Sequence, residues 1–503
     1  MGMDGGSLVK KFQEAQMCLT PEALQLLEER GEEEAEKVLG ALRGKEFIVT
    51  QELVRRVLEP VPKVQVEERR ESSHAELSHT SFKPLAAEVE AKVEVLRDVT
   101  GKSYSRGEVK DFLNLFLDRY QRLKDLFRER SDYADPLPLK ELKNMEEGEL
   151  VRVVGMVAEK RETPGGHLLI KLEDPTGQAA VWIFRGKSEE LLEKAAEVIP
   201  DEVIGVEGTV RSGDKFPRIV AREIAWPDLP VRAAPARAEE PVCAVLISDL
   251  HVGSKMFLRE TFEKFLSWLE GKVGKEEHRD LASRTKYLVL AGDLVDGIGI
   301  YPQQEEELYL HDIFQQYEEV ARLLERVPDY ITLILSPGNH DAVRPSEPQP
   351  AIPPEVGGKL YDLNSVMVGN PAWVSLHGVK FLIYHGRSFD DLASTLPGTG
   401  RNEVSSMMIR LLKGRHLAPM YGGKVAVVPE ERDFLVIDEV PDVLHCGHIH
   451  ISGLKKYKGV WAVNSGTFQG MTSYMRERGI IPTPGKVTVI DLQKNHPSVI
   501  NFA

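Results

Sequence analysis

The chain has 503 residues and a formal net charge of −15, with 42% hydrophobic and 28% charged residues. That length exceeds one hydrophobic core, so about two to four domains are expected, and the balance reads as soluble and globular. No apolar run reaches the roughly eighteen residues of a membrane span. The acidic balance runs against a basic nucleic-acid face, unless divalent cations supply local positive charge or a partner subunit carries the affinity.

The opening MGMDGGSLVKKFQEAQ has no apolar core leading to a cleavage site, so no secretory signal is expected. Gly6 stands where the myristoylation pattern takes Ser or Thr. Cys18, Cys243 and Cys446 form no CxxC pair, which argues against a disulfide scaffold or thiolate zinc site and suits a reducing cytoplasm.

Residues 1–58 read as a helical domain, with Leu24, Leu27, Ala35, Val38 and Leu42 at near-helical spacing and Thr50 as a cap. The stretch 59–95 is polar, Pro-punctuated and without period, and reads as a flexible linker. Residues 96–140 form a helical segment whose aromatic and Leu positions repeat every three or four residues.

From 141 to 232 short alternating strands are divided by turns such as Pro164-Gly165-Gly166 and Asp174-Pro175-Thr176-Gly177. Five strands with a helical insertion, SEELLEKAAEVI, predict an OB-fold barrel. Trp182, Phe184, Arg185 and Lys187 are then candidates for contact with a single strand, although packing of a domain interface explains them better. AAPARAEEP (233–241) reads as a linker, and beyond it buried strands alternate with helices to 503.

Nearly every strand of this last region ends on metal-ligand residue types. They are Ser248-Asp249-Leu250-His251, Gly292-Asp293-Leu294-Val295-Asp296, Gly338-Asn339-His340-Asp341, His385-Gly386 and Gly447-His448-Ile449-His450. In open α/β sheets, sites form at the carboxyl ends of strands, so segments far apart in sequence would converge. Each motif alone reads as a capped turn or a strand end; the five together, each after a buried strand, point to carboxylate and imidazole ligands for two divalent ions. Asp293 is the natural bridge. Two cations about 3.5–4 Å apart can hold a phosphodiester, generate hydroxide from water and stabilise the leaving oxygen. His445 would face away from His448 and His450 on a regular strand, and a core or supporting role is expected for it.

The order of these motifs resembles the calcineurin-like metallophosphoesterase superfamily, whose pattern runs DxH, GDxxD, GNH[DE], H, GHxH. The resemblance implies one metal held by Asp249, His251, Asp293 and His450, and a second held by Asp293, Asn339, His385 and His448. It implies that His340 protonates the leaving oxygen or steadies the transition state, with Asp296 orienting His340; a turn cap explains Asp296 equally well. The fold class is thus multidomain α+β: a helical N-terminal domain, an OB-fold β-barrel and a calcineurin-like α/β metallophosphoesterase sandwich at 233–503.

The segments DGIGIYPQQEEEL, SPGNHDAVRPSEPQP, YHGRSFDDL, RHLAPMYGG and FLVIDEVPDVLHCGHIH, with Val99-Thr100-Gly101-Lys102-Ser103 ahead of a long helix, resemble the small subunits of archaeal family D DNA polymerase. The resemblance covers the chain from about residue 95 onward and implies a 3′–5′ exonuclease that prefers manganese, with magnesium, zinc or iron(II) as other options. It also implies a heterodimer with a large catalytic polymerase subunit, and DNA with a 3′ end as substrate. Other replication factors could dock on 1–58. Arg387, Lys413 and Arg415, the last two beside His416, are candidates for contact with the DNA backbone near the metals, and a solvated face explains them as well. Other readings are a non-catalytic assembly subunit with structural metals, a repair nuclease acting with an ATPase, and a protein phosphatase.

Overall fold

A computed structural model describes residues 5–15, 17–42, 48–58, 82–212, 216–231 and 234–503. The chain divides into two compact units, 1–80 and 81–503. Among the described residues no helix is long and apolar enough to cross a membrane.

In the first unit the helices Gly5–Glu14, Pro21–Arg30, Glu32–Leu42 and Gln51–Leu58 enclose a small core of Leu8, Phe12, Leu27, Val38 and Val54. The hydroxyls of Thr20 and Thr50 accept from the Ala23 and Leu53 amides and satisfy first-turn donors that a helix cannot satisfy itself.

The second unit contains a closed barrel of Leu150–Glu162, Leu168–Asp174, Gly177–Ile183, Arg218–Ala225 and Val203–Arg211, in that order around it. Alternate residues point inward, so Val153, Ile170, Val181, Val206 and Ile219 fill the barrel. The Asp174 carboxylate closes one turn by accepting from the Thr176 and Gly177 amides at 2.7 and 2.9 Å. The helix Glu189–Ala196, capped by Ser188, enters between the third and fourth strands in sequence. This is the OB fold.

Two six-stranded sheets form the rest. The first runs Ser365–Met367, Thr332–Ser336, Thr285–Ala291, Cys243–Ile247, Lys486–Asp491, His496–Asn501, with its first four strands parallel. The second runs Gly453–Tyr457, Val460–Asn464, Val443–Cys446, Val379–Ile383, Ala372–Leu376, Val93–Arg97. Between them lies a core of Ala244, Leu246, Val289, Phe381, Ile383 and Val443. The intervening residues face outward: Val245 and Leu290 under the helices Arg259–Leu269 and Ile313–Leu324, Leu382 and Leu444 under Val404–Gly414. Covering both faces of each sheet gives four layers, which is why the strands read as continuous apolar runs.

Three boundaries differ from the sequence reading. Residues 59–81 of the expected linker lie outside the described residues, but 82–95 are not a linker. A 3₁₀ turn, Leu85–Glu88, leads into Val93–Arg97, which pairs antiparallel with Ala372–Leu376 as the sheet's last strand. An edge strand with one solvated face carries little apolar signal, so this one disappears into its polar neighbours. Within 96–140 the α-helix is confined to Val109–Arg128, because Gly101 and Gly107 take positive φ ahead of it. The described part of the 233–241 stretch, 234–241, is pinned as well, Ala238 donating its N–H to the Leu492 carbonyl at 3.0 Å.

Helix Val109–Arg128 sits against both the barrel and the sandwich. Tyr120 donates to the Val154 carbonyl of the barrel, while Arg119 pairs with Asp433 of the sandwich at 2.7 Å, both groups buried. Burial alone would raise the Asp433 carboxyl, yet its neighbours, Arg119 foremost, hold it well below the usual carboxylate range. Burial, followed by Arg119, pushes the nearby His416 down to about 4, so Arg119 is the charge that acts at neutral pH. Arg119→Ala strands a buried carboxylate and is expected to cost about 3–5 kcal/mol in urea unfolding monitored by tryptophan fluorescence. A loss under about 1 kcal/mol would show that the pair is not what seats the helix.

Candidate metal centre

Five loops leave the carboxyl ends of Cys243–Ile247, Thr285–Ala291, Thr332–Ser336, Val379–Ile383 and Val443–Cys446, three from one sheet and two from the other. Their turns are too tight for ordinary backbone. Asp249, His251, Asp293, His448 and His450 take φ of 53°, 52°, 52°, 70° and 62°, a left-handed region that costs about 1–3 kcal/mol per residue and persists only where the surroundings enforce it. A Cβ at Gly338 would run into the Asp293 carboxylate, and one at Gly447 into that of Asp249. These glycines let backbone approach the buried acids.

The loops bring donors together in groups, of which two hold the expected ligands and a third, His251, Asp296 and His340, overlaps the first. Asp249, His251 and His450 form one, Asp293, His385 and His448 the other, the donor atoms within each lying within 4.8 Å of one another. In the first, His251 Nε2 faces His450 Nε2 at 3.0 Å, and His450 Nε2 is 3.3 Å from Asp249 Oδ1. In the second, His385 Nε2 is 3.2 Å from Asp293 Oδ2 and 3.1 Å from Asn339 Oδ1. Asp293 Oδ2 also lies 3.6 Å from His251 Nε2, so one oxygen is shared by the two groups. His385 donates its Nδ1–H to the Ala291 carbonyl at 2.9 Å, which directs Nε2 into the cluster.

The electrostatics match this donor set. Asp249 and Asp293 are held well below the carboxylate range, their burial outweighed by the imidazoles around them. Burial would lower His251, but Asp249 and then Asp296 hold it up at about 10; for His385, Asp293 outweighs burial and holds it at about 9. Facing ring nitrogens at 3.0 Å set lone pair against lone pair unless a proton or a cation stands between them. The residues fit two divalent cations, which would take the place of those protons.

His340 borders the same cavity, of about 220 Å³, as do Asp293, Asn339, Arg387 and His448. Its backbone N–H donates to Asp293 Oδ1 at 2.8 Å, and its Nδ1 meets the Asp296 carbonyl oxygen at 2.7 Å. Here the sequence expectation is corrected: the Asp296 side chain does not orient His340. Its Oδ1 accepts from His251 Nδ1 and from the Gln469 amide, both at 2.9 Å, and its Oδ2 from the Gln304 amide at 2.9 Å. The carboxylate steadies a candidate ligand, while the backbone carbonyl positions His340. Burial pushes the His340 imidazole down. Asp341 shapes the turn by accepting from the Gly338 amide, and burial followed by the Asp293 charge raises it to about 6.

Of the proposed DNA contacts, only Arg387 borders the cavity. Lys413 pairs with Glu197 of the barrel at 2.9 Å and lies 3.8 Å over the Trp226 ring, so it belongs to the junction of barrel and sandwich. Arg415 is buried and donates to the carbonyls of Ile437, Asp228 and Glu439. Neither borders the cavity of the donor cluster. His445 is buried against Ser465 at 2.6 Å.

On the barrel, Trp182, Phe184 and Lys187 line a groove of about 980 Å³ with Arg211, Arg218 and Arg222. Trp182 and Phe184 stack at 6.0 Å, with Lys187 5.3 Å from the Phe184 ring. Arg185 stays outside the groove, its amide donating to His167 Nδ1. Sequence reasoning missed Asp390, 3.3 Å from His448 Nε2 and paired with Arg401 at 2.7 Å, and Gln469. Asp390 lies five residues past His385 in HGRSFDD, where only its closeness to a ligand histidine hinted at a role.

Residues 244–452 match the family model for the B subunits of DNA polymerases alpha and epsilon, and residues 151–225 that of the OB-fold nucleic acid binding domain. By class, then, the chain is similar to polymerase B subunits with an OB barrel. The DNA polymerase II small subunit of Methanothermobacter thermautotrophicus is 44% identical over 80% of this chain and 82% of its own length. That of Methanocaldococcus jannaschii is 43% identical over 83% and 70%, and that of Archaeoglobus fulgidus 39% over 97% and 96%. The chain belongs to the family of DNA polymerase II small subunits, the small subunits of archaeal family D polymerase.

Asp296→Ala removes the carboxylate behind His251 and leaves every proposed ligand in place. Manganese affinity measured by isothermal titration is expected to fall about 10–100-fold, with circular dichroism unchanged. Unaltered affinity would show that the carboxylate does not support metal binding.

Proposed function

We propose that this chain is the 3′–5′ exonuclease subunit of a heterodimeric replicative DNA polymerase, hydrolysing DNA phosphodiesters in a calcineurin-like sandwich. The observation that carries the reading is the position of Asp293 Oδ2, 3.6 Å from His251 Nε2 and 3.2 Å from His385 Nε2. One carboxylate oxygen between two imidazole-bearing groups suits a pair of adjacent cations. Asp249, His251, Asp293 and His450 would hold one, and Asp293, Asn339, His385 and His448 the other. When bound, two divalent cations, manganese by preference, supply positive charge for the phosphoryl oxygens and an activated water.

The chain's own groups do the rest. Among the described residues the buried carboxylates Asp249 and Asp293 pair with imidazoles and not with lysine or arginine, so their negative charge is left for the cations. Arg387 and Arg401 border the cavity and can meet phosphate oxygens. His340, whose Nδ1–H donates to the Asp296 carbonyl, presents Nε2 to the leaving oxygen and delivers a proton from it in the doubly protonated, charged form. The barrel groove, with stacked Trp182 and Phe184 among basic side chains, suits a single strand. The net charge of −15 is then reconciled by a large catalytic subunit that holds most of the duplex.

The test is manganese-dependent degradation of a labelled single strand and a mismatched primer, with the chain alone and with the large subunit. Wild type is expected to degrade both, and His340→Ala to be about 10²–10⁴-fold slower while its metal content is unchanged. Activity only with the large subunit means that the partner completes the site. No activity in either setting, with metals bound, would make this a scaffold subunit and end the nuclease reading.

A further inference from the structure

The wall of the cavity beside His340 is aromatic, which cation binding and hydrolysis do not require. The Tyr301 ring lies 6.4 Å from that of His340 and 5.5 Å from that of Tyr474, the two tyrosines inclined by 34°. Both are half-buried and border the cavity, with Ile300, Met475 and Ile480 beside them. The Tyr301 hydroxyl donates to Glu307 Oε2 at 2.9 Å and the Ser473 amide to Glu307 Oε1 at 3.2 Å, so one carboxylate ties both segments. Arg478 lies 4.5 Å over the Tyr474 ring. Around His448, by contrast, the cavity is polar, bordered by Asp390, Arg387 and Arg401.

We propose that Tyr301 and Tyr474 form a stacking platform for the base of the penultimate nucleotide of a single-stranded 3′ end. The inference rests on the nuclease reading and adds a substrate requirement to it. Removal of the last nucleotide forms a bond from a water oxygen to phosphorus and breaks the bond from phosphorus to O3′. O3′ leaves with the electron pair and takes a proton from His340, and the proton lost by the water returns to His340 through solvent. O3′ belongs to the penultimate sugar, so the wall next to His340 meets that nucleoside. Aromatic rings stack on any base, so the platform asks for an unpaired nucleotide and not for a particular one. A duplex end offers none until at least two nucleotides have separated from the template, which selects mismatched ends.

Strands carrying a tetrahydrofuran abasic residue at the last or at the penultimate position separate this idea from the nuclease reading, in the complex with the large subunit and manganese. The penultimate lesion is expected to slow single-turnover removal about 10–100-fold, and the terminal lesion to have little effect. In Tyr301→Ala/Tyr474→Ala the penultimate penalty should vanish, and in Tyr301→Phe it should persist. Without metal, in EDTA, 2-aminopurine at the penultimate position should be quenched on binding wild type and much less on binding the double variant. An equal effect of the two lesions on wild type, or a penalty unchanged in the double variant, overturns the platform while the nuclease stands. If no strand is degraded by wild type, the nuclease reading falls and the platform with it.

Discussion

Asp293 lies at the carboxyl ends of the sandwich's strands, and its carboxylate is shared between two donor groups that each draw on both sheets. His251 comes from the first sheet and His385 from the second, so the spacing of the donors is set by how the sheets lie on one another. The apolar layer between them is fully buried, and such interiors are too densely packed to slide without cost. Two cross-sheet hydrogen bonds fix the register locally: His385 to the Ala291 carbonyl, and the His448 amide to the Asp249 carboxylate at 3.0 Å. Positive φ at five donor residues is tolerated because this frame enforces it.

The elements around the sandwich extend that frame. Arg344, three residues beyond Asp341, pairs with buried Glu430 at 2.9 Å, and Glu430 accepts from the amide of Tyr104 at 3.2 Å. The Ser103 hydroxyl donates to Glu430 and accepts from Arg344, so the VTGKS segment ahead of helix Val109–Arg128 braces the loop that carries Asn339 and His340. At the opposite side the barrel is joined through buried Glu202, which meets Arg410 of the sandwich and accepts from the Trp226 indole. Charged groups removed from water are costly unless paired, so these contacts demand one relative placement of barrel, helix and sandwich.

Much of the candidate site was legible in the sequence, for a physical reason. Strands buried on both faces read as unbroken apolar runs, and each donor motif follows such a run, in three cases after a glycine that lets backbone approach an acid or an imidazole. What failed to show was whatever depends on side-chain direction across long sequence separations. The resemblance paired Asp296 with His340, yet its carboxylate turns to His251, 45 residues away. Lys413 and Arg415 looked like surface cations near a loop, but a helix end buries one in carbonyl contacts and places the other on Trp226. The strand Val93–Arg97 was hidden because an edge position leaves its side chains largely exposed.

The double duty of Asp296 has a consequence for genetics. Its carboxylate can be deleted by a codon change, but the carbonyl oxygen that seats His340 is present whichever amino acid occupies the position. Saturation mutagenesis at 296 would therefore expose only the half of its role that serves His251. The other half would be silent in any screen built on the twenty residues. Replacing the amide that follows residue 296 by an ester, through semisynthesis, weakens that carbonyl as an acceptor for His340 and Gln304 and also removes the Gly297 N–H that donates to Gln316, so a Gln316 variant is its control.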